Sequence, residues 1–235
     1  MRTLLAVVLA ISVASCGTGG GDQSKPAAAP PPPSTASPTP SVPAAQAKPR
    51  IVFLGDSLTA GLGLPTDKSY PSLIGKRLKD RGLDYEVVNA GVSGDTSAGG
   101  LRRLDWSLEG DVRVLVVALG GNDGLRGLST EEMKKNLAAI LDRAKARGIP
   151  VILAGMEAPP NFGDEYTKGF RAVYADLAKK YSVAFIPFLL QGVAGDGSLN
   201  QADGIHPNVR GAELVADIVW AELEPALRRP KDQHP

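Results

Sequence analysis

Residues 51–61 read IVFLGDSLTAG. Ile51, Val52, Phe53 and Leu54 form a short apolar run between Arg50 and Gly55-Asp56, the pattern of a strand buried on both faces. The chain then enters a small polar turn that carries Ser57. Open parallel α/β sheets bind their ligands just beyond the carboxyl ends of the strands, where this serine falls. Serine is also a favoured helix N-cap. The turn alone therefore admits two readings of Ser57, a nucleophile or a cap.

The far end of the chain favours chemistry. It holds Asp203-Gly204-Ile205-His206, and His206 is one of only two histidines; the other, His234, is the penultimate residue. A serine hydroxyl attacks well only when a base takes its proton and a carboxylate orients that base. Asp203, three residues before His206, can reach the ring from the same loop. The competing reading is a loop histidine that caps the last helix.

Outward from this pair, strand and helix signals alternate. Strands are expected at 51–54, 85–89, 112–119, 151–156 and 183–188, each buried on both faces. Helices are expected at 70–81, closed by Gly82, and at 96–108, weakened by Gly99-Gly100. A third runs from a Ser129–Glu132 capping box to Arg147, and others cover 165–181 and 208–227. Such alternation predicts a three-layer α/β/α sandwich around a five-stranded parallel sheet of flavodoxin-like order 2-1-3-4-5.

On that scaffold every polar motif follows a strand: Gly55-Asp56-Ser57, then 89–95 (NAGVSGD), then Gly120-Gly121-Asn122-Asp123, then the loop with Asp203 and His206. Parallel strands point their carboxyl ends one way, so these loops converge on one face. Attack on an ester carbonyl builds charge on oxygen that preorganised donors must meet. The Gly94 N–H, the Ser57 N–H and the Asn122 side-chain amide suit that task. Asn122 is equally at home as a turn residue in a Gly-Gly-Asn-Asp bend.

The blocks GDSL at 55–58, NAGVSGDTS at 89–97, GGND at 120–123 and DGIHPN at 203–208 match, in order, those of the SGNH/GDSL hydrolases, and the chain is identified as resembling that family. The stretches SGDTS and LGGNDGLRG resemble the branch of bacterial periplasmic thioesterase/lysophospholipases and arylesterases. The resemblance implies Ser57 as nucleophile, His206 as base and Asp203 as its orienting acid. It implies an oxyanion hole of the Ser57 N–H, the Gly94 N–H and Asn122. It also implies no cofactor and no metal, and small-molecule or lipid esters as substrates. In that branch 124–128 (GLRGL) is a mobile loop over the acyl chain, so Leu125 and Arg126 are expected to meet substrate. Ala158 and Pro159, after the fourth strand, would form an opposing wall, with Leu62 and Leu64 adding to it. Leu62 stands where the branch often has an aromatic, and Ala158 replaces a larger apolar residue.

Residues 1–15 read as a secretory signal, with Arg2 before an apolar run at 4–13 too short for a stable membrane span. Val13-Ala14-Ser15-Cys16 resembles a bacterial lipoprotein box, which would make Cys16 the lipidated residue and the membrane a partner. Residues 16–49, rich in Gly, Pro, Ala and Ser, read as a disordered tether, with the domain at 50–229 and a short tail at 230–235. The expected location is the cell envelope, facing the periplasm, with Gly17 favouring the outer membrane. Lys and Arg number 26 against 25 Asp and Glu, which leaves no basic stripe for nucleic acid. Cys16 is the sole cysteine, so the domain holds no disulfide and no thiolate metal site. A monomer is expected. The alternatives are an O-acetyl-glycan deacetylase using the same residues and a non-catalytic lipid- or glycan-binding lipoprotein. A nucleotide binder is disfavoured by Asp56, which would repel phosphate, and by the lack of a P-loop lysine.

Overall fold

The structure, a computed structural model, describes residues 48–228. The expected signal, the Cys16 anchor, all but the end of the tether and the tail lie outside the described residues. Five strands, β1 (Arg50–Gly55), β2 (Glu86–Gly91), β3 (Val112–Ala118), β4 (Val151–Ala154) and β5 (Ala184–Ile186), form one parallel sheet in the order β2-β1-β3-β4-β5. This is the doubly wound order that the alternation predicted.

In β1, Ile51 to Leu54 are fully buried, each between a β2 and a β3 partner. Burying such side chains contributes roughly 1.5–3 kcal/mol each, before the entropy of ordering them. The expectation of burial on both faces fails at the sheet's edges. β2 exposes Glu86 and Asn89, and β5 leaves Ala184 and Phe185 half-buried. The β2 edge carries a bidentate ion pair, with Arg50 Nε and Nη2 donating to the Glu86 carboxylate at 2.9 and 3.0 Å. A charged edge is a poor template for another strand.

Helices fill the connections between the parallel strands, which such pairing requires. After β1 come α1 (Ser57–Ala60) and α2 (Tyr70–Asp80); after β2, α3 (Ser97–Arg102) and α4 (Leu104–Ser107). After β3 come α5 (Gly121–Leu125) and α6 (Thr130–Ala146), after β4, α7 (Asp164–Tyr181), and after β5, α8 (Val209–Arg228). α2 packs with α8, where the Arg81 guanidinium lies 4.8 Å from the Trp220 ring centroid. α6 packs with both α3 and α7.

Four expected elements differ. The helix expected at 96–108 is two short helices, broken at Arg103, which takes φ −104°, ψ 6°. The bend expected at Gly120-Gly121-Asn122-Asp123 is the first turn of α5. β4 and β5 are shorter than predicted. β5 ends before Pro187, which has no N–H to give a ladder, and the Gly155 N–H turns to the Ile186 carbonyl at 2.8 Å.

Candidate active site

α1 begins directly at the end of β1. Asp56 is its N-cap, with Oδ1 accepting from the Leu58 N–H at 3.0 Å, so Ser57 is the first helical residue rather than the cap. Gly91 of β2 lies against this turn. A Cβ there would run into the backbone nitrogen of Ala60, so only glycine lets α1 sit on the strand.

His206 meets Ser57 from the other end of the chain, with Nε2 and Oγ 2.8 Å apart. Its other ring nitrogen, Nδ1, is 2.7 Å from Asp203 Oδ2. The remaining Asp203 oxygen accepts from the backbone N–H groups of Ile205 and His206 at 2.9 and 3.0 Å. Those two backbone donors, with the ring, hold the Asp203 carboxyl down at about 2, so it stays ionised beside the imidazole. The His206 carbonyl is fixed by the Gln201 N–H at 2.8 Å. Asn208, not His206, caps α8, accepting from the N–H groups of Arg210 and Gly211.

The two oxyanion candidates are tied into the same place. Asn122 Nδ2 donates to the carbonyl of Asp95, the neighbour of Gly94, at 3.0 Å, and to Asp56 Oδ2, beside Ser57, at 3.4 Å. Gly94 occupies the positive-φ position (+84°) of a turn closed by the Asp95 N–H on the Val92 carbonyl. Asp123 anchors α5 from below, its carboxylate accepting from the Ser97 N–H at 2.8 Å and the Ser97 hydroxyl at 2.6 Å.

The expected substrate-facing residues divide. Leu125, expected on a mobile loop, is the exposed last residue of α5. Arg126 is exposed, and its Nη2 donates to the Gly94 carbonyl at 2.9 Å. Ala158 is half-buried, packed on the core with its Cα close to Gly124, and Pro159 follows it into the loop. Gly124 packs tightly, since a Cβ there would be 3.0 Å from the Phe170 ring. Leu62 and Leu64 line a different spot, a pocket of about 10 Å³ against Ser57 and His206, completed by Leu190, Pro207 and Val215. That is room for about one water molecule. A larger cavity, about 280 Å³, opens at the amino ends of β4 and β5, the far end of the sheet, and holds none of these residues.

Sequence reasoning missed Asp56 as a part of the site. It is 2% exposed, and burial pushes its carboxyl up to about 6 despite the opposing Leu58 N–H. A raised carboxyl means that the fold holds the proton more tightly than the unfolded chain does. The resulting stabilisation is complete below the ordinary carboxyl value near 4 and is lost as pH rises through about 6. Asn keeps the cap but cannot ionise. Thermal unfolding of Asp56→Asn should therefore gain on the wild type between about pH 4.5 and 8, by about 1–3 kcal/mol. A gap that shrinks with rising pH would place that proton elsewhere.

Set against known proteins, residues 53–214 match the GDSL-like Lipase/Acylhydrolase family. The chain is 45% identical over 178 residues to Esterase TesA of Pseudomonas aeruginosa, covering 75% of this chain and 89% of that protein. It is 37% identical over 184 residues to Thioesterase 1/protease 1/lysophospholipase L1 of Escherichia coli K12, covering 78% and 87%. The crystal structure of TesA superposes with a TM-score of 0.72 at 44% identity, over 75% of this chain and 99% of that one.

Proposed function

From the premise that the chain belongs to the GDSL-like lipase/acylhydrolase family and is a carboxylic ester hydrolase, we propose that it works through a Ser57–His206–Asp203 triad and an acyl-enzyme. The observation that carries this is the unbroken line from Ser57 Oγ to His206 Nε2 at 2.8 Å and from Nδ1 to Asp203 at 2.7 Å. His206 takes the Ser57 proton as Oγ attacks the acyl carbonyl. The carbonyl oxygen becomes an oxyanion, received by the N–H groups of Ser57 and Gly94 and by the Asn122 amide. The alcohol or thiol leaves with the proton from His206, and a water activated by the same base releases the acid.

The substrates in this reading are acyl esters and thioesters of the arylesterase and lysophospholipase kind. Leu125 at the end of α5, Leu128 just after it and Phe162 in the segment after β4 leave apolar surface exposed, where an acyl chain can lie. One observation favours a second reading, removal of O-acetyl groups from glycans: the pocket against Ser57 is small. A series of p-nitrophenyl esters from acetyl to palmitoyl separates the two. The acyl-ester reading expects turnover to peak at medium chains. Activity confined to acetyl would replace it with the deacetylase.

A further inference from the structure

We propose that Arg103 is a positioning residue that holds the nucleophile's strand end and the oxyanion turn in register; this rests on the proposed roles of Gly94 and Asn122. Three of its donors are aligned at short distances. Nε donates to Asp95 Oδ2 at 2.6 Å, Nη1 to the Ala90 carbonyl at 2.7 Å and Nη2 to the Gly55 carbonyl at 2.7 Å. Both charged side chains are 18% exposed, so the pair is shielded from water. One guanidinium thus grips β1 two residues before Ser57, β2 one residue before its end, and the last residue of the turn at 92–95.

That turn decides where Gly94 presents its N–H. Gly94 has φ +84°, whereas Ser93 keeps a negative φ, because Ser182 is the sole non-glycine at positive φ among the described residues. A positive φ at the third position alone marks a type II turn. Types I and II differ by a flip of the central peptide, here Ser93–Gly94, which reverses the Gly94 N–H. Asp95 ends this turn with its N–H on Val92, receives Asn122 on its carbonyl and receives Arg103 on its carboxylate. Fixing Asp95 therefore fixes both proposed oxyanion donors together. The same demand explains why the helix expected at 96–108 breaks at Arg103. A lysine could keep the ion pair, but a single ammonium cannot reproduce the planar fork onto two carbonyls.

The test is steady-state kinetics of the full chain on p-nitrophenyl butyrate, with unfolding curves for every variant. Arg103→Met should lower kcat on the order of 10²-fold while KM stays within about threefold, because misplaced donors cost the transition state rather than substrate binding. On an Asn122→Ala background, the same change should cost under about tenfold, since part of what Arg103 positions is already gone. If Arg103→Met does not fold, Arg103→Lys carries the test, with an expected loss of about tenfold in kcat. Wild-type kcat in folded Arg103→Lys or Arg103→Met would overturn the proposal, as would the full loss recurring on the Asn122→Ala background. Ser57→Ala that keeps its turnover would instead bring down the underlying site assignment, whatever Arg103 does.

Discussion

Ser57→Ala should leave a folded protein whose ester turnover has fallen on the order of 10⁴–10⁶-fold. The fold has little to lose. Among the described residues, Ser57 Oγ bonds only to His206, so removing it costs about 0.5–1.5 kcal/mol. Asp56 still caps α1, and the backbone N–H of residue 57 remains in place. Chemistry loses the atom that would form the acyl-enzyme. Initial rates on a medium-chain p-nitrophenyl ester, with circular dichroism to establish folding, measure both halves. A folded variant with rates near wild type would mean that some other group performs the attack.

His206→Ala should be nearly as damaging, and the two losses should not add. With Nε2 gone, the Ser57 hydroxyl has no base at 2.8 Å, and Asp203, held to its own loop by the N–H groups of Ile205 and His206, has no ring left to orient. In the proposed triad serine and histidine act as one unit, so the Ser57→Ala, His206→Ala double variant should match either single variant within about tenfold. The residual rate over water belongs to the donors and to substrate binding. Additive losses, seen in the same kinetic assay, would mean that His206 works on something other than Ser57.

Much of this arrangement was legible before any coordinates. The apolar run at 51–54 announced β1, because a strand at the centre of a parallel sheet is buried all round. Asp203 and His206 could be paired because their contact is local, three residues apart. What stayed hidden depends on groups distant in sequence. Nothing in the string DSL says that the Asp56 carboxyl is enclosed and meets Asn122, 66 residues away. Arg103 reads as one of two adjacent arginines on an amphipathic helix until Gly55, 48 residues away, accepts from it. The bond from Arg126 to the Gly94 carbonyl, 32 residues away, is equally invisible in the string. That Gly91 makes room for Ala60 and Gly124 for the Phe170 ring is not written in the sequence either. The edge strands were overcalled for a related reason: a run of valines cannot tell whether a second neighbour will arrive.

Ser57 and His206 are separated by 149 positions and belong to the first and last loops of the sheet's active face. In the proposed mechanism, synthesis from the amino end makes the attacking group long before its base. If the triad acts as proposed, a nascent chain that has not yet reached residue 206 carries Ser57 without its base. Under that mechanism the topology would withhold hydrolysis until the loop with His206 has joined the face that carries Ser57.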